Sequence, residues 1–204
     1  TPKFSLDSFV SGWGESNTDI GYKYSLSRKS LGLLGINYFN YSNPIDKNND
    51  GFTDLTLQDR ISIFNKFSLG NNFSFATRYV YEDRWGGELE WSPKYRGGDI
   101  FYGESVYTSR FEIFGNYQFN NAVSFQFSFN DHNQDSVYGS TFFNADQTIG
   151  FAQMTWNKKI KKNEILLGIA YRYTYYDDDT TATYNENENR NSKSIIQLPG
   201  IFIQ

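Results

Sequence analysis

The run Asp46-Lys47-Asn48-Asn49-Asp50-Gly51-Phe52-Thr53-Asp54 sets oxygen-bearing side chains at alternate positions ahead of a glycine. That spacing matches the first half of a calcium loop, where alternate oxygens wrap one hard cation and the glycine permits a sharp turn. The Glu that would close such a loop is replaced by Leu57. Asp46, Asn48, Asp50 and Asp54 are therefore candidate Ca2+ ligands that would need further oxygens from neighbouring loops. The competing reading is a polar turn in which the Asp and Asn side chains bond their own backbone.

A second group lies between Glu82 and Val106, where Trp85, Trp91, Tyr95, Phe101 and Tyr102 are interleaved with Gly86, Gly87, Gly97 and Gly98. Aromatic rings on a glycine-hinged loop make a contact surface for a large flat or amphipathic ligand. The same rings also suit packing within the loop or a belt at a membrane interface. His132 is the single histidine and falls where a strand enters a loop, which reads as a solvated side chain. Asp177-Asp178-Asp179 opens another polar loop. Catalysis has little to work with: there is no Cys, no G-x-S-x-G, no phosphate-binding glycine loop and no zinc spacing. The chain reads as a binding protein and not as an enzyme.

The elements that must position these loops are strands. Aromatic residues make up 19% of the chain, and such residues fill pleated surfaces. Alternation marks ten strands: Phe4 to Trp13, Asp19 to Ser27, Leu31 to Tyr41, Thr56 to Ser68, Phe73 to Tyr81, Tyr107 to Phe119, Val123 to Asp131, Thr148 to Lys158, Glu164 to Tyr176, and Ile195 to Gln204. Most match the roughly 9–11 residues that a tilted strand needs to cross a bilayer, not the about 5–6 of a globular strand. Phe125, Phe127 and Phe129 share one face, and Gln126, Ser128 and Asn130 the other. Phe111, Ile113, Tyr117 and Phe119 likewise oppose Arg110, Glu112, Asn116 and Gln118. Apolar outward and polar inward is the pattern of a barrel wall between lipid and a wet lumen. Periodicity leaves the faces of the third and eighth strands open.

From the second hairpin onward connections alternate in length, the one exception being the short outer connection Gly14 to Thr18. Short ones are Arg28 to Ser30, Leu69 to Asn72, Asn120 to Ala122 and Lys159 to Asn163; long ones are Ser42 to Leu55, Glu82 to Val106, His132 to Gln147 and Asp177 to Ser194. Outer-membrane barrels sort their loops this way, with tight periplasmic turns and long extracellular loops. No apolar run is long enough for a helical span. A net charge of −4 and the absence of a basic patch argue against nucleic acid as a partner.

Several stretches together give a family likeness: Asn48-Asn49-Asp50-Gly51-Phe52 before Thr56-Leu57-Gln58-Asp59-Arg60, then Thr141-Phe142-Phe143, Tyr171-Arg172-Tyr173-Thr174-Tyr175-Tyr176-Asp177-Asp178, and Leu198-Pro199-Gly200-Ile201-Phe202-Ile203-Gln204. In their order and spacing the chain resembles the early barrel of TonB-dependent outer-membrane receptors, in particular those of the Bacteroidota. The acidic loop is similar to the calcium-binding loop of the cobalamin receptors, which implies that Asn48 and Asp50 fall on ligand positions with Asp46 and Asp54 beside them. Asn48 stands where that family carries a carboxylate. Members close about 22 strands around an N-terminal plug. The resemblance therefore implies an all-β, antiparallel transmembrane β-barrel of which residues 1–204 supply about ten strands, the N-terminal half, with the plug outside this chain. It further implies import of cobalamin or another metal chelate such as haem or a ferric siderophore, a periplasmic TonB energy-coupling partner, outer-membrane lipid, and in some members a surface lipoprotein. The rival readings are a structural or adhesion barrel and a soluble secreted carbohydrate-binding β-protein.

Overall fold

The computed structural model describes residues 3–180, 183–186, 190–191 and 193–204. Its strands are β1 (Phe4–Val10), β2 (Glu15–Ser27), β3 (Ser30–Tyr41), β4 (Leu57–Leu69), β5 (Phe73–Gly87), β6 (Gly103–Gln118), β7 (Val123–Tyr138), β8 (Thr141–Ile160), β9 (Asn163–Asp178), the short β10 (Tyr184–Asn185) and β11 (Arg190–Asn191), and β12 (Ser194–Ile203). β1 to β9 and β12 form one ten-stranded sheet in chain order, every neighbouring pair antiparallel, and β10 pairs with β11 in a separate hairpin. The described residues contain no α-helix, and the only helical turn is a 3-10 turn at Pro93–Tyr95.

Register decides what periodicity left open. Phe125 and Phe127 lie opposite Met154 and Ala152, and Val123 lies opposite Trp156, so Met154 and Trp156 share the apolar face while Ile149 and Phe151 point to the other. On β3, Leu34 and Ile36 sit opposite Tyr22 and Ile20 on the apolar face, and Leu33 lies with Lys23 and Lys66 on the polar one. The apolar face then runs without a break from Leu6 through Ile20, Ile36, Ile63 and Tyr79 to Phe111, a single cross-strand row. Many of its large side chains are exposed, Leu6 at 61%, Ile169 at 57% and Ile201 at 88% among them. A continuous apolar face of this extent is that of a barrel wall turned to lipid. The opposite face carries Arg78 paired to Glu112, with Arg110 at 3.6 Å and the Asn130 amide at 3.2 Å from the same carboxylate. This cluster lies on the lumen side; on the apolar face the row ends at Asp131, opposite Phe111 and bonded to the Thr148 hydroxyl at 2.8 Å.

Two loop assignments are corrected. β5 continues to Gly87 and β6 begins at Gly103, which shortens the aromatic loop to residues 88–102. Residues 132–147 are not a loop: β7 and β8 pair from His132↔Gln147 to Tyr138↔Thr141 and close through the Gly139-Ser140 turn. His132 consequently sits within β7, opposite Arg110 on β6. The reason is physical. Past the bilayer a strand carries polar side chains on both faces, so the apolar-polar alternation that reveals a strand disappears while its hydrogen bonds continue. β8 has 20 residues, about twice what a bilayer requires, and the surplus stands above the apolar band as an extended hairpin with β7.

Candidate functional site

The long connections all leave one rim of the sheet, and their side chains tie them into one structure. Loop 42–56 begins with the acidic run. Asp46 accepts the backbone N–H groups of Asp50 at 3.3 Å and Gly51 at 2.9 Å, and the Asn48 oxygen accepts the Asp50 N–H at 3.2 Å. Asp50 in turn accepts from the Phe52 N–H at 2.9 Å, and Asp54 from the Lys47 N–H at 2.8 Å. Each of the four candidate ligands is engaged in a turn-type bond to backbone or, for Asn48 and Asp50, also to each other at 2.9 Å. Among the described residues no three acidic or histidine side chains converge in an arrangement that would hold a metal ion. Each carboxylate oxygen keeps a further lone pair, so these turn bonds and a cation can share the same side chains.

Loop 42–56 is zipped to loop 88–102. Phe52 bridges Glu88, the Thr53 N–H donates to Gly87 O at 2.8 Å, and the Leu89 N–H donates to Gly51 O at 2.9 Å. Loop 88–102 is then latched to β7 by Arg96. Its guanidinium grips the Asp135 carboxylate in a fork at 2.8 and 3.3 Å, donates to the Ser105 hydroxyl at 2.7 Å, and lies 4.4 Å over the Tyr107 ring. A planar fork with a stacked face is something Arg supplies and Lys does not. The β7–β8 hairpin completes the brace, because the Phe142 ring rests on Gly97 where a β-carbon would have no room.

The five aromatic candidates divide by this packing. Trp91 is 4% exposed, packs on Trp85 with the rings tilted by 35° and 4.8 Å between centres, and covers Gly103, whose missing side chain makes the space. Tyr95 and Phe101 pack edge to face at 4.8 Å. Trp91, Tyr95 and Phe101 pack within the loop, and Trp85 at the end of β5 supports Trp91 from below. Tyr102 is 44% exposed and lies 6.4 Å from Phe52, itself 41% exposed, so this pair presents rings to solvent at the rim. Phe52, Arg96 and Phe142 are the rim residues that sequence reasoning missed. Arg96 finds Asp135 across 39 residues of chain, and no local pattern announces such a pair.

At the far end of the rim, Asp178 is buried and accepts from the Thr180 N–H at 3.0 Å and from the Thr180 and Thr183 hydroxyls. Burial opposes its charged form, but the bonds from Thr183, Thr180 and Tyr176 prevail and lower the carboxyl from its ordinary value to about 2. A depressed carboxylate stabilises the fold above its unfolded-state value, and that contribution is lost as pH falls through the folded one. The Thr180 and Thr183 amides should keep their hydrogen-exchange protection down to about pH 4 and lose it toward pH 2. Asp178→Asn should abolish that step; an identical step in the variant would show that another group carries it.

No protein family matches the sequence, and no curated protein does. Its fold does have a solved counterpart. Over 98% of its length the chain is similar to the structure of a protein described as copper transporter OprC, with a TM-score of 0.54 and 12% identity. The fold is a section of an antiparallel transmembrane β-barrel. The chain spans 36% of the length of that solved protein, and the likeness at this identity concerns the fold alone.

Proposed function

We propose that the chain is part of a bacterial outer-membrane receptor of the TonB-dependent type, which captures a scarce nutrient at its outer rim and passes it through the lumen. The observation that carries this reading is the braced rim, standing above a wall that is apolar outside and charged inside. Loops held in one arrangement present a binding surface at low ordering cost, which a purely structural barrel does not need. The structural likeness to a solved metal transporter supports the same class. The cargo class we propose is a metal chelate, with cobalamin, haem and ferric siderophores as the candidates, and the energy would come from a periplasmic TonB partner acting through a plug. Exposed Phe52 and Tyr102 are the rings placed to meet a flat or amphipathic ligand first.

The test is binding of each of those three chelates to the purified full-length protein, with growth of a gene-deleted strain on each as a limiting source. Submicromolar binding of one chelate, weakened about tenfold or more by Phe52→Ala with Tyr102→Ala, is the expected result. Failure of all three to bind, with unimpaired growth of the deletion strain, would overturn the importer reading in favour of an adhesion or structural barrel.

For the Asp46 to Asp54 loop, calcium remains the proposal to be tested against the hydrogen-bonded turn. If the turn is self-sufficient, Asp46→Ala loosens the loop equally in calcium and in chelator, because it removes acceptors for Asp50 and Gly51. If calcium organises the loop, the wild type melts at lower temperature in chelator and the variant shows no such difference. Thermal melts with and without chelator separate the two.

A further inference from the structure

The connection between β8 and β9 differs from the other short turns. It gathers four lysines, Lys158, Lys159, Lys161 and Lys162, whereas the equivalent β2–β3 turn has two cations, Arg28 and Lys29, and residues 70–72 and 119–122 of the β4–β5 and β6–β7 turns carry no charge. Below this basic cluster the apolar face is hollowed. Two cross-strand rows, Trp156-Leu167-Ile203 and Met154-Ile169-Ile201, line a depression of about 560 Å³. A second, smaller depression of about 220 Å³, lined by Phe125, Ala152 and Tyr171, adjoins it and shares Met154 and Ile169. Lys158 shares the face of Trp156 and holds its ammonium 5.5 Å over that indole. The one acid nearby, Glu164, lies opposite Lys159 on the lumen side and accepts from the Asn157 amide, so it does not neutralise Lys158. Successive rows on one face stand about 7 Å apart, so the two depressions together run about 14 Å or more down from the lysines.

We propose that this flank of β8, β9 and β12 is a binding site for a phospholipid with an anionic headgroup. The headgroup phosphate sits among Lys158, Lys161 and Lys162, and one acyl chain lies in the hollow along Trp156, Met154 and Ala152. Charge complementarity selects the headgroup, while the depth and apolar lining select a hydrocarbon chain over a peptide, whose backbone polar groups would be left unsatisfied there. The inference rests on the membrane-spanning reading of the apolar face and is independent of the cargo.

The test uses the full-length protein in bilayers, with Trp156 fluorescence isolated as the difference between wild type and Trp156→Phe. Phosphatidylglycerol or phosphatidylethanolamine carrying brominated chains is added as a minor component. The expected result is quenching by brominated phosphatidylglycerol about fivefold stronger at equal dose. That bias should disappear in Lys158→Gln/Lys161→Gln/Lys162→Gln and, in the unmodified protein, at high salt. Equal quenching by the two lipids, or a bias that survives both treatments, would overturn the site while leaving the membrane reading intact. No quenching by either lipid would overturn the membrane reading itself and the site with it.

Discussion

Placing a lysine at Phe127 is expected to cost about 2–4 kcal/mol of folding stability in a bilayer, and placing one at Gln126 less than about 1. The two positions are adjacent in β7, but register sends them to opposite faces. Phe127 lies in the apolar row with Gly115 and Ala152, while Gln126 lies opposite Asn116 and Gln153. The Phe127 ring also fills the space that Gly115 leaves open, so its removal loses packing as well as adding charge. Urea unfolding in lipid vesicles reads both variants. Similar costs at the two sites would show that β7 does not have one lipid face and one wet face.

The second large effect is expected at Trp91. Truncation of a buried Trp costs about 3–5 kcal/mol when the cavity cannot collapse, and here the ring bridges Trp85 and the backbone at Gly103. The cost falls on loop 88–102 and not on the barrel, since the ladder of β5 with β6 runs unbroken from Phe73 to Gly87. Trp91→Ala should therefore expose the loop to protease while global unfolding in urea moves little. Arg96→Lys should act in the same direction but more weakly, because it keeps a charge near Asp135 and loses the fork. If Trp91→Ala lowered global stability with the loop still protected, the rim and barrel would be one cooperative unit.

These two expectations mark what was legible in the sequence. The faces of β7 were plain because three phenylalanines alternate with three polar residues in the bilayer, where burial on one side and water on the other impose a period of two. The upper part of the same strand was not legible. Residues 132–138 carry polar side chains on both faces, and rim packing buries even Ser136 and Val137, so no apolar-polar alternation marks them and they read as loop although each is paired with β8. The acidic run shows a different limit. Calcium loops and strings of side-chain-to-backbone turns use the same residues at the same spacing, because both need short side chains with an oxygen near the backbone. Composition cannot separate them; melting with and without chelator can. Of the aromatic loop, the residue types were legible but not their division of labour, since burial of Trp91 and exposure of Tyr102 depend on Arg96 reaching a strand remote in the chain.

Among the described residues the sheet's pairing shifts register at one place, between Ser25 and Ser27. Elsewhere the ladders are continuous, and this restricts how the gene can change length. One residue inserted within β8 would turn Met154 and Trp156 toward the lumen and deliver Gln153 and Asn157 to lipid, with the exchange persisting to the end of the strand. The cost of such an insertion exceeds that of most substitutions, because every side chain beyond it is misplaced at once. Insertions and deletions are therefore filtered out of the strands and accumulate in the connections, so proteins descended from a common ancestor with this one should align without gaps along the wall and differ in length at the rim.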